Sequence, residues 1–208
     1  MKMKLMATMG TLLVAQLASA HDLPRGKVAE LGLHRLERLA ILKKVDASFQ
    51  VNAFSMKITV LTPAQDTDPK YQVDISQGPA ADATQKTLTL LADDEAKFVS
   101  FSTNTASEPA SAPKYPQKDA VGFLEVALHC VQGEQVESST VCTDMAALAP
   151  FNTGFKSVSL QPTVDAQGAI IGAQAEILAD GADSKVIVSI KNDGTLADAN
   201  PVQIVKIQ

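Results

Sequence analysis

The sequence has no tryptophan, and its aromatic side chains are limited to seven phenylalanines and two tyrosines. Carbohydrate and nucleic-acid sites depend on exposed aromatic rings, so this shortage argues against both. The formal net charge of −5 also opposes binding to nucleic acid. With 46% hydrophobic and 20% charged residues, the chain is nevertheless typical of a globular protein. We expect its core to be aliphatic, built on Val, Ile, Leu and Ala.

After its first twenty residues, the sequence has no apolar stretch long enough to span a membrane. The opening segment itself has Lys2 and Lys4, then the apolar residues 5–17, then the small residues Ala18-Ser19-Ala20. This pattern predicts a cleaved secretory signal peptide over residues 1–20, with an uncleaved anchor as the alternative. We therefore expect a periplasmic or secreted protein that has no membrane span after cleavage.

Cysteine is limited to Cys130 and Cys142. In an oxidising compartment, an even number of cysteines within one segment favours a disulfide. The short loop between them predicts a stabilisation of about 3 kcal/mol. A redox or metal-binding pair is the alternative, but the spacing differs from that of a Cys-x-x-Cys motif.

Three prolines, Pro109, Pro113 and Pro116, interrupt residues 104–118 and predict a linker between two halves, 21–103 and 119–208. Hydrophobic periodicity predicts a helix and then strands in each half. The predicted helices are 23 to about 50 and 119–131, and the predicted strands are 54–61, 71–76, 87–91, 97–102, 155–161, 169–178, 185–191 and 202–207. The predicted class is α+β, with two similar modules, each a helix packed on a three- to four-stranded antiparallel sheet.

Three pairs of segments favour an internal repeat. Residues 56–63 align with 155–162, and residues 85–95 align with 184–194 at the same offset. Residues 30–36 align with 125–131 at a slightly smaller offset. Chance similarity between amphipathic segments is the alternative explanation.

One strand runs into an Asn-Asp-Gly turn, in the sequence Val186-Ile187-Val188-Ser189-Ile190-Lys191-Asn192-Asp193-Gly194. A helix followed by antiparallel strands of this kind resembles PepSY and related cystatin-like modules. The first copy departs from the pattern, since Asp94-Glu95 lacks the glycine. The resemblance implies an exported bacterial protein that binds or restrains partners and does not catalyse a reaction.

The chain has only three histidines, at positions 21, 34 and 129. Glu30 with His34, and Glu125 with His129, form the same Glu-x-x-x-His pattern, which places both side chains on one helix face. If the two helices met, these four residues would suit zinc or copper. The alternative is a pair of local surface hydrogen bonds or ion pairs.

The sequence has no nucleophile elbow, no Ser-x-x-Lys motif and no phosphate-binding glycine loop. We therefore expect no catalytic residues, no enzymatic activity and no cofactor. A basic excess near the predicted first helix, at Arg35, Arg38, Lys43 and Lys44, would suit contact with an acidic partner. The alternative is a solvated helix face with ion pairs between residues four apart. The predicted function is a non-enzymatic binding or regulatory protein of the bacterial cell envelope, acting on another envelope protein or a small ligand. The alternative is a copper- or zinc-binding periplasmic protein.

Overall fold

The computed structural model describes residues 23–46, 48–51, 53–65, 67–77, 86–104, 120–133, 142 and 145–207. The helices in these residues are α1 (Arg25–Ile41), α2 (Ser48–Val51), α3 (Ala120–Gln132) and α4 (Met145–Thr153). The strands are β1 (Ala53–Val60), β2 (Tyr71–Gln77), β3 (Thr87–Ala92), β4 (Phe98–Thr103), β5 (Phe155–Val164), β6 (Ile170–Ala179), β7 (Ser184–Lys191) and β8 (Val202–Lys206).

These eight strands form one antiparallel sheet in the order β4-β3-β2-β1-β5-β6-β7-β8. The predicted α+β class is therefore confirmed. β1 and β5 join in the middle of the sheet through three residue pairs, from Ser55 opposite Ser159 to Lys57 opposite Ser157. The strands on either side of the predicted linker consequently belong to one continuous sheet.

The helices cover one face of this sheet. Burial alternates along β2 and β7, so that every second side chain enters the core. Leu33 and Leu36 of α1 are fully buried in the same hydrophobic cluster as Leu124 and Leu128 of α3. A single core therefore lies between the sheet and the helices of both halves.

The scarce aromatic side chains contribute to this core. Phe49, Tyr71, Phe123 and Phe155 are among the largest fully buried side chains, each at most 1% exposed. The expectation of an aliphatic core was therefore wrong in part: aliphatic residues predominate, but rings fill some of the largest volumes. Each ring removes a large apolar area from water, which favours its burial.

The predicted strands all occur, with small differences at their ends. β3, for example, spans Thr87–Ala92, where residues 87–91 were predicted. Residues 93–95 form the turn of the hairpin between β3 and β4. The carboxylate of Asp93 accepts hydrogen bonds from the backbone N–H groups of Glu95 and Lys97, and it thereby fixes the turn between β3 and β4.

The first helix ends at Ile41, well before the predicted end near residue 50. Lys43 adopts a left-handed conformation, with φ of 53°. Its backbone N–H donates to Ala40 O at 2.9 Å, and the N–H of Lys44 donates to Leu39 O at 2.8 Å. These are the two bonds of a Schellman motif, which satisfies the last carbonyl groups of a helix and ends it.

α4 has no counterpart among the predicted elements. Pro150 lies inside it, and proline normally disfavours a helix because it lacks a backbone donor. Leu148 and Phe151 of α4 are 1% and 4% exposed, and their burial stabilises the helix. Two helices therefore precede each set of four strands, where one was expected.

Cys130 and Cys142 form a disulfide, with 1.99 Å between their sulfur atoms and 5.2 Å between their Cα atoms. The predicted pairing is confirmed. Cys130 lies in the last turns of α3, so the bridge fixes the end of this helix to the chain that approaches α4.

Two predicted segments lie outside the described residues: the signal peptide, 1–20, and the linker, 104–118, except for Asn104. The described part of the chain has no helix that is both long and apolar enough to cross a membrane.

Candidate functional site

α1 and α3 contact each other on the covered face of the sheet, and this contact brings together residues of the two Glu-x-x-x-His patterns. Glu30 and His34 lie on α1, and Glu125 and His129 lie on α3. The sheet places the two helices side by side because the strands that follow them, β1 and β5, pair directly.

His34 lies between carboxylates from both helices. Its Nε2 is 3.5 Å from Oε1 of Glu30, which precedes it by one turn of α1. Its Nδ1 is 3.7 Å from Oε2 of Glu37 and 3.8 Å from Oε1 of Glu125. One ring nitrogen therefore faces Glu30, and the other faces Glu37 and Glu125 together.

Glu37 was absent from the predicted ligand set. It follows His34 by three residues, a spacing that places two side chains on the same helix face. The structure groups His34, Glu37 and Glu125 so closely that one potential ligand atom from each lies within 4.8 Å of the others. Among the residues that the structure describes, only this trio brings three potential metal-ligand atoms so close together.

Glu30 is the most enclosed carboxylate of this site, and its side chain is 7% exposed. Lys27 Nζ donates to both of its carboxylate oxygens, at 2.8 and 2.7 Å. Burial alone would raise the pKa of Glu30. Hydrogen bonds from Lys27 and Gln132, with the positive charges of Lys27 and His129, outweigh this effect and lower its pKa below the ordinary value.

His129 of α3 lies near enough to Glu30 to act on it electrostatically. It is not a member of the close trio. Of the four residues predicted as ligands, the structure therefore places Glu30 and Glu125 next to the ring of His34. Metal binding by these residues stays a prediction.

The residues predicted to contact a partner lie on the second half of α1 and just after it. Arg38, Lys43 and Lys44 are exposed, and Arg35 is half-buried. Two large apolar side chains, Ile41 and Leu42, lie next to them in the chain and are 77% and 55% exposed. We call these six residues the α1 end surface.

The face of the sheet opposite the helices has a shallow depression of about 280 Å³ where β1 meets β5. Four serines line it, together with Lys57, Asp74 and Glu176. Thr89 Oγ1 donates to Asp74 at 2.6 Å, and Lys185 Nζ donates to Glu176 at 2.8 Å. Both carboxylates of this depression therefore have partners on neighbouring strands of the sheet.

Comparison of the chain with protein-family models, curated proteins and solved structures finds no match.

Proposed function

We propose that this chain is a non-enzymatic binding protein of the bacterial cell envelope, and that it binds an acidic partner protein through the α1 end surface. The observation that carries this proposal is the exposure of Ile41 and Leu42, 77% and 55%, beside Arg38, Lys43 and Lys44. Ile41 and Leu42 are the two most exposed large apolar side chains among the residues that the structure describes, and they are adjacent in the chain. Together with a basic rim, they are typical of a protein-binding surface.

Charge complementarity defines the chemistry of the partner. The whole chain has a formal net charge of −5, whereas the α1 end surface is locally basic. A partner with carboxylates around an apolar centre would be attracted here and repelled by other parts of the molecule. Nucleic acid also carries negative charge, but the net charge of the chain opposes it.

Export from the cytoplasm is supported by two features. The sequence predicts a signal peptide, and Cys130 and Cys142 lie at disulfide distance. Disulfides persist in the periplasm and outside the cell, where the environment is oxidising. Both features support the proposal that the protein is periplasmic or secreted.

We also propose that the chain contains two copies of one helix-plus-meander module of the PepSY or cystatin-like kind. The aligned segments of the sequence lie in equivalent elements: 30–36 and 125–131 in α1 and α3, 56–63 and 155–162 at β1 and β5, and 85–95 and 184–194 at β3 and β7. The strand order outward from the β1–β5 pair is also the same in both directions. Modules of this kind bind partners, which agrees with the proposed function.

The proposal is tested by retention of envelope proteins on the immobilised chain. Two variants remove the α1 end surface: Ile41→Ser with Leu42→Ser, and Arg38→Glu with Lys43→Glu. The controls change an exposed apolar residue and an exposed basic residue elsewhere, Val164→Ser and Lys156→Glu. Circular dichroism and thermal unfolding establish that every variant is folded.

We expect the wild type and both controls to retain the same acidic protein, and we expect both α1 variants to lose it. Raising the salt concentration should also release it, because salt screens exposed charges. Equal retention by all five proteins would refute the assigned surface. Vesicles that contain phosphatidylglycerol serve as a second probe. Tight binding to these vesicles that is lost in the α1 variants would indicate a membrane surface and would contradict a protein partner.

A further inference from the structure

We propose that His34, Glu37 and Glu125 bind one Zn²⁺ ion at the contact between α1 and α3. This site is separate from the α1 end surface and does not depend on the proposed partner. It would link the two halves of the chain, since His34 and Glu37 lie on α1 and Glu125 lies on α3.

The ligand atoms have the chemistry and spacing that zinc requires. Zinc binds imidazole nitrogen and carboxylate oxygen at about 2.0–2.2 Å, so two ligands of a tetrahedral ion lie roughly 3.4 Å apart. In this structure, His34 Nδ1 is 3.7 Å from Glu37 and 3.8 Å from Glu125. Small side-chain rotations would therefore bring all three ligand atoms onto one ion.

The charges also agree with a divalent cation. Glu37 and Glu125 together carry two negative charges, and their carboxylates lie within 4.8 Å of each other. A bound Zn²⁺ would neutralise both carboxylates.

Glu30 supports His34 from the opposite side of the imidazole ring. A metal-bound histidine usually donates its second ring N–H to a carboxylate, which fixes the tautomer and the orientation of the ring. Nε2 of His34 faces Glu30 at 3.5 Å, and Lys27 holds the Glu30 carboxylate in place. The ligand nitrogen would therefore be Nδ1, and Glu30 would be a positioning residue that does not touch the ion.

Three protein ligands leave one position of a tetrahedral ion free. The side chain of His34 is 51% exposed, so water can reach the ion and complete its coordination. Closed structural zinc sites use four protein ligands, whereas sites with three keep an exchangeable position. We therefore expect reversible zinc binding, not a permanently buried ion.

The test is a calorimetric titration of the full, disulfide-bonded chain with zinc chloride after treatment with a chelator. We expect one ion per chain. His34→Ala, Glu37→Gln and Glu125→Gln should each weaken binding by more than about 100-fold, and Glu30→Gln should weaken it by about 10–100-fold. Glu95→Gln is the matched control, since Glu95 is an exposed glutamate in the turn between β3 and β4, and it should bind like the wild type.

Three results would overturn the site. The first is the absence of binding to the wild type at millimolar zinc. The second is binding that His34→Ala, Glu37→Gln and Glu125→Gln leave unchanged. The third is binding that His21→Ala or His129→Ala abolishes while Glu37→Gln preserves it, because the ligands would then be elsewhere. Circular dichroism of each variant separates a lost site from a lost fold.

Discussion

Lys86, just before β3, donates to the carboxylate of Asp46, between α1 and α2, with 2.8 Å between Nζ and Oδ2. The same ammonium group lies 3.2 Å from Oγ of Ser48 and 5.8 Å from the centre of the Phe49 ring. The other oxygen of Asp46 accepts the backbone N–H of Ser48 at 2.8 Å. This pair therefore attaches the start of α2 to the start of β3.

The Asp46–Lys86 pair should make stability depend on pH in the acid range. The hydrogen bond from Lys86, followed by those from Ser48, lowers the pKa of Asp46 from 3.8 to about 2. A carboxylate with a lowered pKa in the folded state stabilises the fold above its unfolded pKa. This stabilisation should be complete above about pH 4 and should disappear as the pH falls to about 2.

The measurement is the urea midpoint of the wild type and of Asp46→Asn between pH 7 and pH 2. The wild type should be more stable at neutral pH, and the difference should shrink between about pH 4 and pH 2. Lys86→Met should show the same loss of pH dependence, because it removes the largest cause of the lowered pKa. A difference between wild type and Asp46→Asn that stays constant over this range would contradict the pKa of Asp46.

Replacing Lys43 by glycine should stabilise the protein. Lys43 has a φ of 53°, a left-handed conformation that costs most residues about 1 kcal/mol and glycine very little. We expect Lys43→Gly to raise the free energy of unfolding by up to about 1 kcal/mol in urea titrations. Lys44→Gly is the matched control, because it changes the neighbouring exposed lysine. It should not raise the free energy of unfolding. A loss of stability in Lys43→Gly would show that this end of α1 is organised differently.

Loss of the Cys130–Cys142 disulfide should destabilise the fold by about 3 kcal/mol, since the bridge closes a short loop and restricts the unfolded chain. The comparison is between the wild type and Cys130→Ala with Cys142→Ala in urea. A reducing agent should lower the midpoint of the wild type and leave that of the double variant unchanged. If the reducing agent had no effect on the wild type, the bridge would contribute nothing to stability.

Most of the strands could be predicted from the sequence, because one face of the sheet is covered and the other faces solvent. When a sheet is covered on one face only, apolar and polar residues alternate along each strand, as in Tyr71–Gln77, and this alternation predicts a strand. The end of α1 was missed because its cap uses Lys43, where a glycine would have marked it. α4 was missed because Pro150 contradicts the local pattern, and only its burial against the core explains the helix.

The candidate site could be predicted only in part. Glu30, His34 and Glu125 were identified because the same pattern occurs twice in the sequence. Whether the two helices meet depends on the pairing of β1 with β5, and no local signal encodes a contact between such distant segments. Glu37 shares a helix face with His34, but Glu30 and Arg38 also lie three or four residues from His34. Glu37 is a potential metal ligand only because the fold brings Glu125 of α3 close to it.

The central position of β1 has a consequence for synthesis, which proceeds from the amino terminus. β1 can pair with β2 early in synthesis. Its other edge stays unpaired until β5, the first strand after α4, has left the ribosome. An open strand edge is a template for pairing with other chains. The incomplete chain therefore presents an edge of β1 that the complete sheet pairs with β5, and a chaperone that covers this edge during the interval would keep it from pairing with other chains.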